Sequence, residues 1–212
     1  MTASTLLLHA QRLQALAQAG LAYPSTAYDV ERYEEIRAIS VQLLHHLVPD
    51  EPLEKLTQLF ASETGYQTPK VDIRAVLFRG KEEILLVQEK IDGNRWALPG
   101  GWADVGYTPF EVAVKETHEE TGFVVRAVRL LALLDKKNHP HPPQPWYIYK
   151  AFVLCEIEGG SLLENTPETA GGRWFREEEI AGLSLSVDRN TASQLHTMFE
   201  FARNPALPTL CD

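Results

Sequence analysis

Long apolar runs, cysteine and basic charge are all scarce in this 212-residue sequence, and each scarcity excludes something. No stretch approaches the ~18 apolar residues of a membrane span. Leu6-Leu7-Leu8 near the start has no basic residues before it and is too short for a signal peptide. The cysteines are two, Cys155 inside an apolar run and Cys211 next to last. Neither has metal-ligand spacing, and no disulfide framework is suggested, as expected for free thiols in a reducing compartment. We therefore expect a cytoplasmic protein. Lys and Arg number 20 against 29 Asp and Glu, a formal net charge of −9. Duplex DNA or an anionic membrane calls for clustered basic residues, so neither is expected as a partner. Internal repeats and low-complexity tracts are also missing.

What is present reads as a soluble globular protein, with 44% apolar and 23% charged residues. The first sixty residues are helical in pattern. A first helix is expected over 5–19, with Gly20 as its stop. Asp29 is the expected cap of a second, running to about Val48 and ended by Pro49, and a short third helix starts near Pro52. Leu43, Leu47, Leu56 and Phe60 fall at helical spacings. Such a unit is too small to bury a good core alone and should pack on the rest of the chain or on another subunit. Breaker residues from Gly65 to Lys70 mark a boundary, which gives a helical domain over 1–64 and a second domain over 65–212.

Beyond the boundary the period changes. Val71 to Phe78 and Ile84 to Val87 read as a hairpin, and Trp96-Ala97-Leu98 as a short strand leading into Pro99-Gly100-Gly101. A helix is expected from about Pro109 to Thr121. Strands follow near 123–133 and 147–157, with a short one at Trp174-Phe175, and a last helix spans about 191–202. This is an α/β pattern with a mixed sheet.

The chemistry concentrates between Gly100 and Phe123. Thr108, Pro109 and Glu111 form a capping box with proline at the first helical position, and Gly122 is placed to end the helix. At ~100° per residue, Phe110, Val114, Thr117 and Thr121 share one face. Glu116, Glu119 and Glu120 share another, expected to lie outside the face that packs on the sheet. An acidic helix face alone is equally a solvated one, because like-charge neighbours cost only ~0.2–0.5 kcal/mol per pair. The double glycine in front adds a second signal, since it lets backbone approach a ligand and present a carbonyl oxygen. Carboxylates with a carbonyl are the hard ligands that magnesium prefers.

The segment resembles the Nudix box: Gly, five residues, Glu, seven residues, then Arg-Glu-aliphatic-x-Glu-Glu-x-Gly-aliphatic. Gly101, Glu116, Glu119, Glu120, Gly122 and Phe123 fall in register. Tyr107 stands where the pattern has its first Glu, Lys115 where it has Arg, and Thr117 where it has an aliphatic residue. Glu111 lies four residues past the vacant Glu position, but its capping role explains it. The helical start, the region of Asp29 to Tyr33, the stretch from Gly65 to Arg74 and the run Gly101-Trp102-Ala103-Asp104-Val105-Gly106 resemble one Nudix subfamily, whose members have an N-terminal helical extension and include ADP-ribose and CDP-choline pyrophosphatases.

The resemblance implies a Nudix α/β/α sandwich after a small all-helical domain, and a homodimer. It implies Mg²⁺, with Mn²⁺ possible, on Glu116, Glu119 and Glu120 and the carbonyl of Gly100 or Gly101. The metal would also supply the cation that an acidic protein needs to handle a nucleotide's phosphates. Glu168, in the loop before Trp174, is the candidate general base, with Glu120 as the other. Arg74 and Lys70 are candidate phosphate contacts, Tyr66 (with Tyr28 and Tyr33) a candidate for stacking on a base, and His139 a candidate at the substrate's border. Pro140 points weakly to ADP-ribose. The expected reaction is hydrolysis of ADP-ribose to AMP and ribose 5-phosphate. CDP-choline or another nucleotide conjugate is the alternative substrate, and a nucleotide sensor without turnover the alternative class.

Overall fold

The computed structural model describes all residues except Met1, Ser25, Pro49, Asp50, Glu63 and Thr64. The expected helix stop at Pro49 and the last residue of the expected first domain, Thr64, lie outside the described residues. The chain forms two compact units. One comprises residues 1–69 with 143–147, the other 70–142 with 148–212.

The first unit holds α1 (Ala3–Ala22), α2 (Ala27–Leu47) and α3 (Leu53–Ser62). Ala10, Val41, Leu44, Leu56 and Phe60 form its core. Gly20 does not stop α1, which continues to Ala22. A Cβ on Gly20 would lie 2.4 Å from the Tyr33 ring. The glycine thus admits a ring from α2 against the α1 backbone, and this contact outweighs its helix penalty of about 1 kcal/mol. Tyr33 is accordingly packed between helices. The helix ends at Tyr23, which precedes Pro24 and is steered out of the α region by it. The cap of α2 is Thr26, not Asp29: Thr26 Oγ1 accepts from the Asp29 amide at 3.1 Å and bonds its carboxylate at 2.8 Å. The 143–147 segment is tied to α1 by Gln11, whose side-chain amide donates to the carbonyls of Gln144 and Trp146.

The second unit is a mixed sheet between two helices. Its strands are β1 (Lys70–Arg79), β2 (Glu83–Glu89), β3 (Arg95–Ala97), β4 (Gly100–Trp102), β5 (Phe123–Asp135), β6 (Ile148–Gly160), β7 (Thr169–Arg176) and β8 (Leu210–Cys211), with α4 (Pro109–Thr121) and α5 (Ala192–Arg203). The main path runs β3-β2-β1-β6-β5-β8, with β4 pairing β1 and β7 pairing β2. β1 lies parallel to β6 and antiparallel to β2 and β4. Alternation along β1 divides the core. Ile73, Ala75 and Leu77 face Val112 and Ala113 of α4, while Val76 joins Phe152, Leu195, Met198 and Phe199 on the α5 side. The result is the expected α/β sandwich after a helical region. β4 and β8 are the strands that the sequence did not suggest.

Candidate active site

Local chemistry fixes α4 at both ends. Thr108 Oγ1 accepts from the Glu111 amide at 3.2 Å, and Glu111 Oε2 accepts from the Thr108 amide at 2.7 Å. Gly122 closes the helix at φ 79°. With the helix so placed, Glu116 and Glu120 stand one turn apart. The start of β7 is joined to them because Thr169 Oγ1 donates to the Glu120 carbonyl at 2.9 Å. This brings in Glu168, so that Glu116, Glu120 and Glu168 each put a carboxylate oxygen within 4.8 Å of the others.

Glu119 does not join them. It is half-exposed and accepts from Lys115 Nζ at 2.9 Å, and the same ammonium reaches Glu116 at 3.1 Å. The expected faces of α4 are corrected in the same way. Glu116 and Glu120 are buried together with Val112, Ala113, Thr117 and Thr121, whereas Phe110 is exposed. The two carboxylates fit on the packed side because β4 has no side chains there. A Cβ on Gly101 would lie 3.1 Å from the Glu116 carboxyl carbon.

Ladder bonds from Ala75 to the Pro99 carbonyl and from Ala103 to the Val71 carbonyl bracket the register Ile73↔Gly101. Bonded and non-bonded pairs alternate in an antiparallel ladder, so Gly101 is turned to β1 and Gly100 away from it. The Gly100 amide accordingly donates to Glu120 Oε2 at 3.0 Å. The same alternation leaves the carbonyl of Gly100, rather than that of Gly101, outside the pairing with β1.

Lys115 at Glu116 and Arg74 near Glu120 offset only part of the cluster's negative charge. Burial pushes Glu120 up to about 8, Glu89 and Glu116 add to the rise, and Arg74 and the Gly100 amide oppose it. A cluster of carboxylates that burial and mutual repulsion disfavour, set beside a backbone carbonyl, is a donor set that fits a hard divalent cation.

Arg74 lies beneath this cluster rather than at an open surface. Its Nε and Nη2 meet Asp72 Oδ1 at 2.9 and 2.7 Å, and its Nη1 donates to the Leu98 carbonyl at 3.1 Å and lies 3.7 Å from Glu89. Lys150 binds the other oxygen of Asp72. Burial pushes Asp72 up, but Arg74 and Lys150 outweigh it and hold the carboxyl below its usual range. Burial takes Lys150 down to about 8 against the pull of Asp72. Glu89 is buried too, with Arg189 Nε at 2.8 Å, and burial raises it.

Lys70 opens β1 opposite Ile148, Tyr66 is exposed in the helical unit, and His139 Nε2 lies 2.8 Å from Asp212 Oδ2. His141 is a neutral histidine by its partners. Gln194 Oε1 accepts from the Thr191 amide, so its Nε2–H faces His141 Nε2 at 3.1 Å, while His141 Nδ1 donates to the Val187 carbonyl. Asp72, Glu89, Lys150 and Arg189 were missed in the sequence. Asp72 and Lys150 carry a readable signal, an ionisable residue within an apolar strand run.

Comparison with known proteins gives the family. Residues 68–197 match the family described as NUDIX domain, and residues 4–60 match "UDP-X-like, N-terminal oligomerisation domain". A Bacillus subtilis protein named "Putative ADP-ribose pyrophosphatase" is 43% identical over 203 residues, 96% of this chain and 95% of that protein. A crystal structure of a UDP-X diphosphatase covers 100% of both chains at 30% identity and a TM-score of 0.62. That of an ADP-ribose pyrophosphatase from Streptococcus suis covers 68% of this chain and 100% of its own, at 37% identity and a TM-score of 0.60. The chain belongs to the Nudix hydrolase family and is a pyrophosphatase, a hydrolase of phosphoric anhydrides.

Proposed function

We propose that this enzyme hydrolyses nucleoside diphosphate derivatives with Mg²⁺, that Mn²⁺ can replace Mg²⁺, and that ADP-ribose, cleaved to AMP and ribose 5-phosphate, is the preferred substrate. The observation that carries the reading is the meeting of Glu116, Glu120 and Glu168 beside Gly100. The substrate assignment draws on the ADP-ribose pyrophosphatases among its relatives. Glu116, Glu120 and the Gly100 carbonyl would hold the ion, with Glu119 available once it releases Lys115. A divalent ion there supplies charge neutralisation of the pyrophosphate and acidifies water. Glu168 is the exposed member of the three and takes the proton of the attacking water as general base. Arg74 offsets the buried carboxylates and braces Leu98, and with it the turn that presents Gly100.

A UDP-linked substrate is the second reading, favoured by the diphosphatase structure that aligns over the whole chain; CDP-choline is the third. Ranking ADP-ribose, UDP-glucose and CDP-choline by kcat/KM in Mg²⁺ and in EDTA decides among them. Turnover in EDTA, or turnover retained by Glu120→Gln, overturns the metal assignment. Residues 1–64 act in this reading as the dimerisation domain, and light scattering on the full chain tests that.

A further inference from the structure

Trp102 is the last residue of β4, next to Gly101, and the reaction as proposed gives it no role. Its register partner is Asp72, at a non-bonded position of the ladder. The two side chains therefore leave the sheet on the same face, with Cβ atoms roughly 4.5–5.5 Å apart. Alternation along β1 and β6 makes this the α5 side, where Val76 and Phe152 belong to the core. At the near end of that face the apolar residues give way to Asp72, Arg74 and Lys150, all buried. Glu116 lies behind Gly101 on the opposite face. The carboxylates thus gather about the edge of β4 at Gly100, and the indole stands two residues further along, about 7 Å of strand away, on the opposite face of the sheet.

Trp102 is 49% exposed, although a tryptophan is a large apolar side chain that is highly buried on average. The environment of other tryptophans differs: Trp96 packs on Phe175 with centroids 4.7 Å apart, and Trp174 contacts Phe123 and Arg79. Among the described residues Trp102 has no ring contact and no hydrogen bond.

We propose that Trp102 is the stacking platform for the nucleobase of the substrate, and that through it the enzyme binds purine and pyrimidine nucleotides with similar strength. This rests on the nucleotide reading above. Stacking uses the π-face that every base has and reads its edge weakly. A heterocycle is the occupant that fits, because a flat ring covers the half-exposed indole next to Gly101 while its polar edge stays in water.

The test is calorimetric titration of the full-length protein, in Mg²⁺, with AMP, UMP and the base-free ribose 5-phosphate. Trp102→Ala weakens AMP and UMP by about tenfold each and leaves ribose 5-phosphate as in the wild type. Trp102→Phe restores most of the loss. In turnover of ADP-ribose the Ala variant loses through KM rather than kcat. Unchanged AMP affinity in Trp102→Ala overturns the proposal, and so does an equal loss for ribose 5-phosphate. A wild type that cleaves no diphosphate yet binds AMP through Trp102 sinks the hydrolytic assignment and leaves the platform standing. Turnover that is indifferent to Trp102 does the reverse.

Discussion

One methyl group placed at Gly101, and separately at Gly100, should divide the site from the fold. A Cβ at Gly101 would meet the carboxyl carbon and Oε2 of Glu116 at 3.1 Å and Oε1 at 3.3 Å, where ordinary contact is 3.4–4 Å. The carboxylate has to retreat by a few tenths of an ångström. It is the far end of a flexible side chain, so Gly101→Ala should cost about 1 kcal/mol of folding stability, at the low end for overpacking. The displaced oxygens are those proposed to hold the metal, and disturbances of that size around a ligand lower metal affinity or activity by roughly 10–100-fold. At Gly100 the obstacle is backbone. The Cβ would lie 2.0 Å from the Ile73 carbonyl oxygen, and φ is +145°, a conformation that costs a side-chain-bearing residue on the order of 1–3 kcal/mol before the clash is added. Gly100→Ala should therefore melt clearly lower even in EDTA. Activity measured against Mg²⁺ concentration, with thermal unfolding in EDTA, reads both variants. A Gly101→Ala protein with wild-type Mg²⁺ dependence, or two variants with equal loss of stability, would refute the placement of Glu116 against β4.

Glu120→Gln should lower kcat/KM by about 100-fold or more while the EDTA-treated protein melts no lower than wild type, because a buried carboxylate among other carboxylates has been neutralised. Lys150→Met should cost roughly 3 kcal/mol in urea unfolding, since it strips one of two cations from buried Asp72; a near-wild-type midpoint would contradict that pairing. In native protein a thiol reagent should titrate exposed Cys211 and spare Cys155, whose thiol burial pushes up to about 12, with both reacting after denaturation. Burial holds His141 down from 6.5 to about 3, so its contribution is fully present above pH 6.5 and is lost as pH falls toward 3, where the unfolded chain binds a proton that the folded one refuses. Urea midpoints at pH 7 and pH 5 should therefore differ more for wild type than for His141→Asn.

Local chemistry was legible and non-local chemistry was not. The capping box at Thr108 and the stop at Gly122 bounded α4 correctly because each depends on neighbours within four residues. Gly20 misled because its reason lies across the unit, in the Tyr33 ring, and a glycine that admits a ring looks the same in sequence as one that ends a helix. β4 was hidden for a similar reason. A strand recognised by side-chain alternation cannot be seen in Gly100-Gly101, yet the missing side chains are what lets Glu116 and Glu120 face the sheet. Helical spacing put Glu119 with its neighbours, but Lys115 holds it on the solvent side, and the third carboxylate comes from Glu168, nearly fifty residues on. Arg74 reads as a phosphate contact until Asp72, two residues away on the same strand face, is seen to occupy it.

The departures from the family pattern spare the carboxylate cluster, and the geometry says why. Tyr107 stands at the vacant Glu position, half-exposed in the loop before α4, so the missing carboxylate subtracts nothing from the three that meet at Gly100. Thr117, in place of an aliphatic residue, is fully buried, but its hydroxyl donates to the Ala113 carbonyl at 2.7 Å within the helix. The polar atom is satisfied where it arises, and the methyl is left to pack. Lys115 lacks the planar fork of arginine, yet its partners are two single oxygens, Glu116 Oε1 at 3.1 Å and Glu119 Oε2 at 2.9 Å, on separate side chains. Bridging two separate oxygens asks for a compact charge with rotatable donors, which an ammonium provides. Lys115→Arg should accordingly hold Glu116 no better than the wild type does, and its Mg²⁺ dependence should match. A variant with markedly tighter Mg²⁺ binding would show that the fork was needed and that the lysine weakens this site.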